Sequence, residues 1–232
     1  EKPTYQPAIK RLFLEPYSSF YSIVDHDNLY YEQNQWLHKL NLLTNTDSLI
    51  AFISDYIHCF RLSDYDSTLY FSTSKKIYSL KEDKPICRLV LPGTKSQYIN
   101  GYLFLTKDSL LIGTSLGLIS GNIRTGKARS IIPEINIRNI YLDKDGYTWL
   151  GTYTDGIYLL KSDTIKQLPI DANKRLSVIN SIFEDKQGRI WFSTNNGLLS
   201  NKRSTIIQFF KGLGEIGPYS VYTKKDGLIT NE

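Results

Sequence analysis

A short phrase recurs along the chain at a nearly constant spacing. Its two clearest copies are Asp143-Lys-Asp-Gly-Tyr-Thr-Trp-Leu-Gly-Thr152 and Asp185-Lys-Gln-Gly-Arg-Ile-Trp-Phe-Ser-Thr194. Weaker copies end at Thr73 and Thr114, and a more divergent one ends at Glu32, so the period is roughly 40 residues. A sequence with such a period folds as an array of similar units, each packed on its neighbours.

The residues inside each period predict strands. Apolar residues alternate with polar ones or form short runs, and we find no window with the 3.6-residue spacing of an amphipathic helix. The 17 Tyr, 10 Phe and 3 Trp residues also suit a pleated surface. Around Trp149 four strands are predicted, at Arg138–Leu142, Tyr147–Gly151, Gly156–Leu160 and Ile165–Leu168. Four strands in a period of this length indicate the blades of an all-β β-propeller.

About five such blades fit into the sequence. We predict a lead segment at 1–19 and a propeller at 20–232, with units at roughly 20–56, 57–97, 98–135, 136–176 and 177–232. The segment after Gly212 either supplies the outer strand of the fifth blade or opens a sixth. The chain has no Met, and we expect it to be a fragment of a longer protein and of a larger propeller.

The repeated residues have architectural explanations. Each Asp starts a tight turn, where its carboxylate accepts from backbone amides, and each Gly supplies a positive φ. The Trp residues recur at one strand position, which predicts core packing between blades. We assign these positions to structure: Asp143, Gly146, Trp149, Thr152, Asp185, Gly188, Trp191 and Thr194.

The distribution of charged and apolar residues argues against nucleic-acid binding and against a membrane span within this chain. The 28 Lys and Arg residues occur at most in pairs and are mixed with 23 Asp and Glu residues, so no basic stripe for nucleic acid is formed. No apolar run is long enough to span a membrane, and the N-terminus lacks the layout of a signal peptide.

The histidines and cysteines do not predict a metal site or a cofactor. His26, His38 and His58 fall in different units, and the two cysteines lack C-x-x-C spacing. Cys59 and Cys87 are predicted on the first and fourth strands of the second unit, roughly 14 Å apart. That separation exceeds the ~7 Å limit for a disulfide, so we predict two thiols.

The candidate ligand residues lie in the loops. Because strands A to D of a blade alternate in direction, the B–C and D–A loops emerge on one face and the Asp-x-x-Gly hairpins on the other. The B–C loops and the starts of strand A carry amide, aromatic and charged side chains that suit a hydroxyl-rich ligand. These candidates are Gln33, Gln35, Trp36, Asn100, Arg138, Tyr153, Asp155, Asn180, Asn195 and Asn196.

Two stretches resemble the two-component regulator propeller repeat, namely Asp143 to Ile157 and Glu184 to Leu198. The tail from Tyr222 to Glu232 is similar to the segment of that family that leads into its last blade. The resemblance implies the periplasmic sensor of a hybrid two-component system, whose membrane helix and histidine kinase lie in other parts of the parent protein. It implies a signal-transduction module that recognises an oligosaccharide, without enzymatic activity of its own.

Two alternatives remain open at this stage. One is a scaffold propeller that self-associates or binds protein and has no small-molecule site. The other is a propeller enzyme of the lyase or lactonase type, which needs a metal or a His/Glu constellation at the channel mouth. The strand-A positions offer Asn and Arg instead, so we expect no enzyme, no cofactor, no nucleic-acid partner and membrane attachment only through the rest of the parent.

Overall fold

The computed structural model describes residues 22–93, 97–162, 164–170 and 173–229. Within them, strands dominate and form five antiparallel sheets of four strands each. The predicted all-β class and the four-stranded repeat unit are confirmed. The predicted lead segment, 1–19, lies outside the described residues.

The five sheets follow one another along the sequence. The first contains β1 (Ser22–Asp25), β2 (Asn28–Gln33), β3 (Trp36–Asn41) and β4 (Thr46–Phe52). The second contains β5 (Cys59–Leu62), β6 (Leu69–Ser72), β7 (Lys76–Lys81) and β8 (Lys84–Val90). The third contains β9 (Ile99–Phe104), β10 (Ser109–Thr114), β11 (Gly117–Asn122) and β12 (Lys127–Pro133). The fourth contains β13 (Ile137–Leu142), β14 (Thr148–Thr152), β15 (Ile157–Lys161) and β16 (Thr164–Gln167). The fifth contains β17 (Ile179–Glu184), β18 (Arg189–Thr194), β19 (Gly197–Lys202) and β20 (Ser220–Tyr222).

The chain divides into two compact units. The N-terminal unit comprises the described residues up to Ile99 together with 104–110 and 121–128, and the C-terminal unit comprises 100–103, 111–120 and the residues from Arg129 on. Each has its own apolar core. In the N-terminal unit the core includes Leu37 and Phe71, and in the C-terminal unit it includes Trp149 and Phe192.

The strands predicted around Trp149 agree with β13 to β16 to within one residue at every boundary. In the fifth sheet, β20 pairs with β19, so the segment after Gly212 supplies the outer strand of this blade. Gly197 starts β19 with a φ of 118°, and a Cβ atom there would lie 2.3 Å from the carbonyl oxygen of Tyr222. The pairing of β20 therefore depends on glycine at this position.

Among the described residues, one α-helix interrupts the strands, and the sequence analysis wrongly excluded it. Helix α1 (Arg203–Phe210) follows β19 directly and buries Arg203, Ile206, Ile207 and Phe210. These positions have the i, i+3, i+4, i+7 spacing of one helical face. The adjacent pairs Ile206-Ile207 and Phe209-Phe210 resemble a strand, which hides this spacing in so short a segment.

An ion cluster fixes the start of α1 to the fourth sheet. The Arg203 Nε donates to Oδ2 of Asp143 at 2.8 Å and lies 3.7 Å from Oε2 of Glu184, and an Nη atom also pairs with Asp145. The Asp143 side chain is fully buried. Burial alone would raise the pKa of Asp143, but hydrogen bonds from Arg203, the Tyr147 amide and Trp149 lower it below its ordinary value.

The cysteines lie where the strand reading placed them. Cys59 is on β5 and Cys87 on β8, the first and fourth strands of the second sheet. Two strands separate them, and both residues are thiols.

Candidate functional site

Each repeated Asp organises a turn and also binds the repeated Trp. Oδ1 of Asp143 accepts from the amides of Asp145 and Tyr147, while Oδ2 accepts from Nε1 of Trp149 at 3.1 Å. Gly146 closes this turn with a φ of 75°. The Asp-to-Trp hydrogen bond explains the fixed six-residue spacing, which turn chemistry alone does not.

The fifth sheet repeats the arrangement. Oδ1 of Asp185 accepts from the amides of Gln187 and Arg189, Oδ2 accepts from Nε1 of Trp191 at 2.6 Å, and Gly188 has a φ of 73°. Trp191 departs from the prediction that both tryptophans are core, because it is only half-buried whereas Trp149 is fully buried. Trp149 packs against Phe192 of the following sheet, and among the described residues no sheet follows the fifth.

The repeated Thr holds the next hairpin, the B–C loop. Thr152 is fully buried at the end of β14, donates from Oγ1 to the carbonyl of Gly156 at 2.9 Å and accepts from the amide of Asp155 at 2.9 Å. Thr194 does the same in the fifth sheet, with the carbonyl of Gly197 and the amide of Asn196. The loop residues between Thr and Gly are therefore presented on a fixed base.

Three of the candidate ligand residues meet in the C-terminal unit. The guanidinium of Arg138 lies 4.4 Å from the ring centroid of Tyr153 and donates from Nη1 to Oδ1 of Asn180 at 3.0 Å. Arg138 comes from the start of β13, Asn180 from β17 and Tyr153 from the B–C loop of the fourth sheet. Strand starts and loops distant in sequence thus form one polar contact, as the alternation of strand directions predicts.

Asparagines extend this contact on both sides. Asn180 donates from Nδ2 to Oδ1 of Asn195, at 2.9 Å. Asn100 donates from Nδ2 to Oδ1 of Asn136 at 3.1 Å and to the carbonyl of Ile137 at 2.8 Å. The carbonyl of Asn136 accepts from the amide of Tyr153 at 2.9 Å. We call the connected set the Arg138 network, and it consists of Asn100, Asn136, Arg138, Tyr153, Asn180 and Asn195.

The network can offer several kinds of contact at once. Arg138 and Tyr153 are exposed, and Arg138 uses one of its five N–H donors on Asn180. The amides supply both donors and acceptors, and the Tyr153 ring supplies an apolar surface. Such a set matches a ligand whose hydroxyl groups surround an apolar ring face.

Two further candidates lie on the same loops without joining the network. The carboxylate of Asp155 accepts from the Thr154 hydroxyl, and its backbone carbonyl accepts from Gln167. Asn196 is exposed and its amide binds Thr194. Both residues therefore take part in shaping their hairpins.

The remaining candidates belong to the N-terminal unit. Gln33 and Trp36 pair across the hairpin between β2 and β3, and Gln35 sits in the two-residue turn with a φ of 67°. The amide of Gln35 donates to Glu32, and Trp36 packs edge-on against Phe52 at 5.3 Å. The role of all ten candidates in ligand binding stays a prediction.

The N-terminal unit has a cleft that the sequence analysis missed. It encloses about 600 Å³ and is lined by exposed rings, Tyr56 and Tyr98, beside Asp55, His58 and Ser74. The Ser74 amide and hydroxyl both donate to the Asp55 carboxylate, at 3.0 and 3.1 Å, and burial lowers the pKa of His58. The second repeat lacks the Asp-x-x-Gly and Trp signatures. The only sequence feature that could have indicated this cleft is the position of its residues in D–A and B–C loops.

Among residues 22–93, 97–162, 164–170 and 173–229, no three His, Cys, Asp or Glu side chains are grouped so that they could hold a metal ion. No helix within these ranges has both the length and the apolar character needed to cross a bilayer.

Two segments of the chain match a family described as "two component regulator propeller", at residues 131–154 and 174–196. Both segments are therefore similar to the two-component regulator propeller repeat. These repeats include Arg138, Tyr153, Asn180 and Asn195, so four members of the Arg138 network lie on matched segments. The resemblance inferred from the sequence is confirmed.

A curated relative is a much longer protein than this chain. Histidine kinase P4 of Formosa agariphila is 28% identical over 103 residues, which are 44% of this chain and 7% of that protein. The chain thus spans a small part of the length of this relative.

Solved structures share the fold at low sequence identity. The extracellular domain of a hybrid two-component system from B. thetaiotaomicron has a TM-score of 0.69 and 17% identity, covering 90% of this chain and 28% of that one. Virginiamycin B lyase from Staphylococcus aureus has a TM-score of 0.65 and 13% identity, covering 88% and 69%. The prediction of β-propeller blades is confirmed. Because a lyase shares this fold, the fold alone does not determine the function.

Proposed function

We propose that this chain is the ligand-sensing propeller segment of a hybrid two-component sensor and that it binds an oligosaccharide. The observation that carries the proposal is the Arg138 network, in which one exposed ring, one guanidinium and four amide side chains are joined by hydrogen bonds and a cation–π contact. Matched repeats and a histidine kinase among the relatives support the sensor context.

The network suits recognition because its members are positioned before a ligand arrives. Asn180 accepts a hydrogen bond from the Arg138 guanidinium, which also lies over the Tyr153 ring, so less side-chain entropy is lost on binding. Arg138 then donates to sugar hydroxyls, amides of Asn100 and Asn195 exchange hydrogen bonds with neighbouring hydroxyls, and Tyr153 contacts the apolar ring face.

In this proposal the segment lies on the periplasmic side of a membrane-anchored parent. Binding at the Arg138 network alters blade or dimer packing, and the kinase in another part of the parent responds. Extracellular domains of two-component systems among the structures of the same fold support this location. The chain itself performs no catalysis under this proposal.

The test is calorimetric titration of a panel of plant and host oligosaccharides into the complete ectodomain. We expect one glycan class to bind, Arg138→Gln to weaken it at least tenfold, and Tyr153→Ala to weaken it similarly. Arg129→Gln is the matched control, since Arg129 is exposed on β12 and lies outside the network. Absence of binding by every glycan class, or equal binding by Arg138→Gln and Arg129→Gln, would contradict the proposal.

A scaffold propeller would give a different pattern. In that case the ectodomain self-associates in light scattering and the oligosaccharide panel produces no heat. Substitutions at Arg138 and Tyr153 would then change neither the molar mass nor the stability of the assembly.

A further inference from the structure

A second polar cavity lies in the N-terminal unit, on strands that carry none of the ligand candidates discussed above. It encloses about 350 Å³ and is bordered by β6, β7, β8 and the turns at 106–108 and 123–124. Four cationic side chains line it, namely Lys81, Arg88, Lys107 and Arg124. We call it the Arg88 cavity.

Arg88 is held in position at the wall of this cavity. The pairing of β7 with β8 shifts between Ile77 and Tyr78, whose partners are Leu89 and Cys87, so Arg88 is the extra residue of a β-bulge. Its Nε donates to the hydroxyl of Ser79 at 2.7 Å, and Ser79 is fully buried. Because the guanidinium is planar, this single bond also orients the two Nη atoms.

Tyr70 adds a neutral donor beside Arg88. It lies opposite Ser79 in the pairing of β6 with β7, is 5% exposed, and borders the cavity. The Tyr70 hydroxyl carries its proton at neutral pH, because the ordinary tyrosine pKa is about 10 and burial raises the pKa of Tyr70 further. An oxyanion in the cavity would therefore meet a guanidinium fork and a phenol donor on the same wall.

The two carboxylates at the cavity are already engaged by other groups. Asp108 pairs with Arg124, and Asp66 accepts from the amide of Thr68 at 3.1 Å. Within the described part of the chain, no carboxylate lies within ion-pairing distance of Arg88, Lys81 or Lys107. With four cationic side chains and two carboxylates, the lining of the cavity keeps a net positive charge.

The first sheet contains a position equivalent to the Arg88 cavity, and there the positive charge is paired with a carboxylate. Tyr30 lies opposite Lys39 in the first sheet, as Tyr70 lies opposite Ser79 in the second. Lys39 is 2.9 Å from the carboxylate of Asp83, a residue of the turn between β7 and β8. The corresponding turn between β11 and β12 brings Ile123 and Arg124 to the Arg88 cavity. The turn between β7 and β8 thus supplies a carboxylate beside Lys39, whereas the turn between β11 and β12 supplies a further cation, Arg124, to the Arg88 cavity.

We infer that the Arg88 cavity binds a small oxyanion group, a carboxylate, sulfate or phosphate, which takes the place that Asp83 holds beside Lys39. The group would receive two parallel N–H bonds from Arg88, the geometry in which arginine binds planar or tetrahedral oxyanions. The Tyr70 hydroxyl and the ammonium groups of Lys81 and Lys107 complete the set. The inference does not depend on the oligosaccharide proposal, because none of these residues belongs to the Arg138 network.

The test follows the side-chain Nε resonance of Arg88 by NMR while sodium sulfate, sodium phosphate or sodium acetate is added at constant ionic strength, with sodium chloride as reference. We expect saturable shifts with the oxyanions and none with chloride. Arg88→Gln should abolish saturable binding measured by calorimetry, Lys107→Gln should weaken it several-fold, and Arg129→Gln should leave it unchanged.

A second set of probes distinguishes the acid group of a sugar from an inorganic ion as the oxyanion that the cavity binds. Binding of glucuronate more tightly than acetate, with no binding of glucose, assigns the cavity to the acid group of a sugar. Binding of sulfate and phosphate without that preference assigns it to the inorganic ion. Shifts that follow ionic strength alone, or binding that persists equally in Arg88→Gln and Lys107→Gln proteins with unchanged circular dichroism, would overturn the inference.

Discussion

Gly151 of β14 packs directly against Ile179, the first residue of β17. A Cβ atom added to Gly151 would lie 2.6 Å from Cγ2 and 2.9 Å from Cβ of Ile179, closer than such atoms approach. The Gly of the Leu-Gly-Thr phrase is therefore required by the approach of the next sheet. It is not required by the backbone, since its φ lies outside the left-handed region.

Gly151→Ala should destabilise the protein by about 1 to 3 kcal/mol, the usual cost of forcing atoms into a packed core. Chemical denaturation followed by circular dichroism measures this. Gly101→Ala is the control, because Gly101 is also in a strand but has no heavy atom within 4 Å of the added Cβ. Equal losses in the two variants would show that strand propensity, and not the contact with Ile179, sets the cost.

Asp143→Asn should cost about 3 kcal/mol at neutral pH, because it leaves the Arg203 guanidinium buried without its main partner. It should also change the response to acid. The folded-state pKa of Asp143 is lowered, so the stability it contributes is fully present above the ordinary aspartate value of about 3.9 and is lost as pH falls through the lower folded value.

Denaturation curves between pH 2 and 7 check this prediction. The slope of the free energy of unfolding against pH should be smaller in Asp143→Asn than in the parent below about pH 4. Asp185→Asn provides a comparison at the repeated position. Because Asp185 binds Trp191 but not a buried arginine, a larger neutral-pH loss at position 185 than at 143 would contradict the assignment.

Thr152→Val should cost about 1 to 3 kcal/mol, since the isosteric side chain leaves the carbonyl of Gly156 and the amide of Asp155 without their Oγ1 partner. Thr152→Ser keeps the hydroxyl and should recover most of that loss. Thermal melts of the two variants distinguish the hydrogen bonds from simple packing. If the serine variant is the less stable one, packing of the methyl group dominates.

Trp149→Phe should destabilise more than Trp191→Phe, by about 2 kcal/mol. The first substitution opens a cavity in a fully buried position and removes the indole donor of a buried carboxylate, whereas Trp191 is half-buried. Urea denaturation followed by far-ultraviolet circular dichroism compares them without relying on tryptophan fluorescence. Similar losses would mean that the face of the fifth sheet is covered in solution.

The parts of the fold that could be predicted are those that local chemistry determines. The Asp, Gly and Trp phrases predicted the strands of the fourth sheet to within one residue, because turns and alternation are encoded over short distances. Helix α1 was missed because it has only eight residues, too few to show a clear helical period. Its two adjacent apolar pairs also resemble a strand.

The site was less accessible to sequence reasoning for a physical reason. Loop positions could be assigned to one edge of the blades, which identified Arg138, Asn180 and Tyr153 as neighbours in principle. Asn136 was missed because it lies outside the repeated phrase, and its bond to Asn100 joins residues 36 positions apart. Such a contact depends on how one sheet packs on the next, which no local pattern reports.

The hydrogen bonds of Thr152 and Thr194 have a consequence for how this scaffold can change. Each hydroxyl binds a loop amide and the carbonyl of the Gly that ends the loop, so it holds the hairpin in shape without contacting the loop side chains. Loop residues such as Tyr153 and Asn195 can therefore be substituted while the strands keep their register. Proteins built on this plan can acquire new specificities by mutation at little cost to folding, and a designer could transplant the loops between blades.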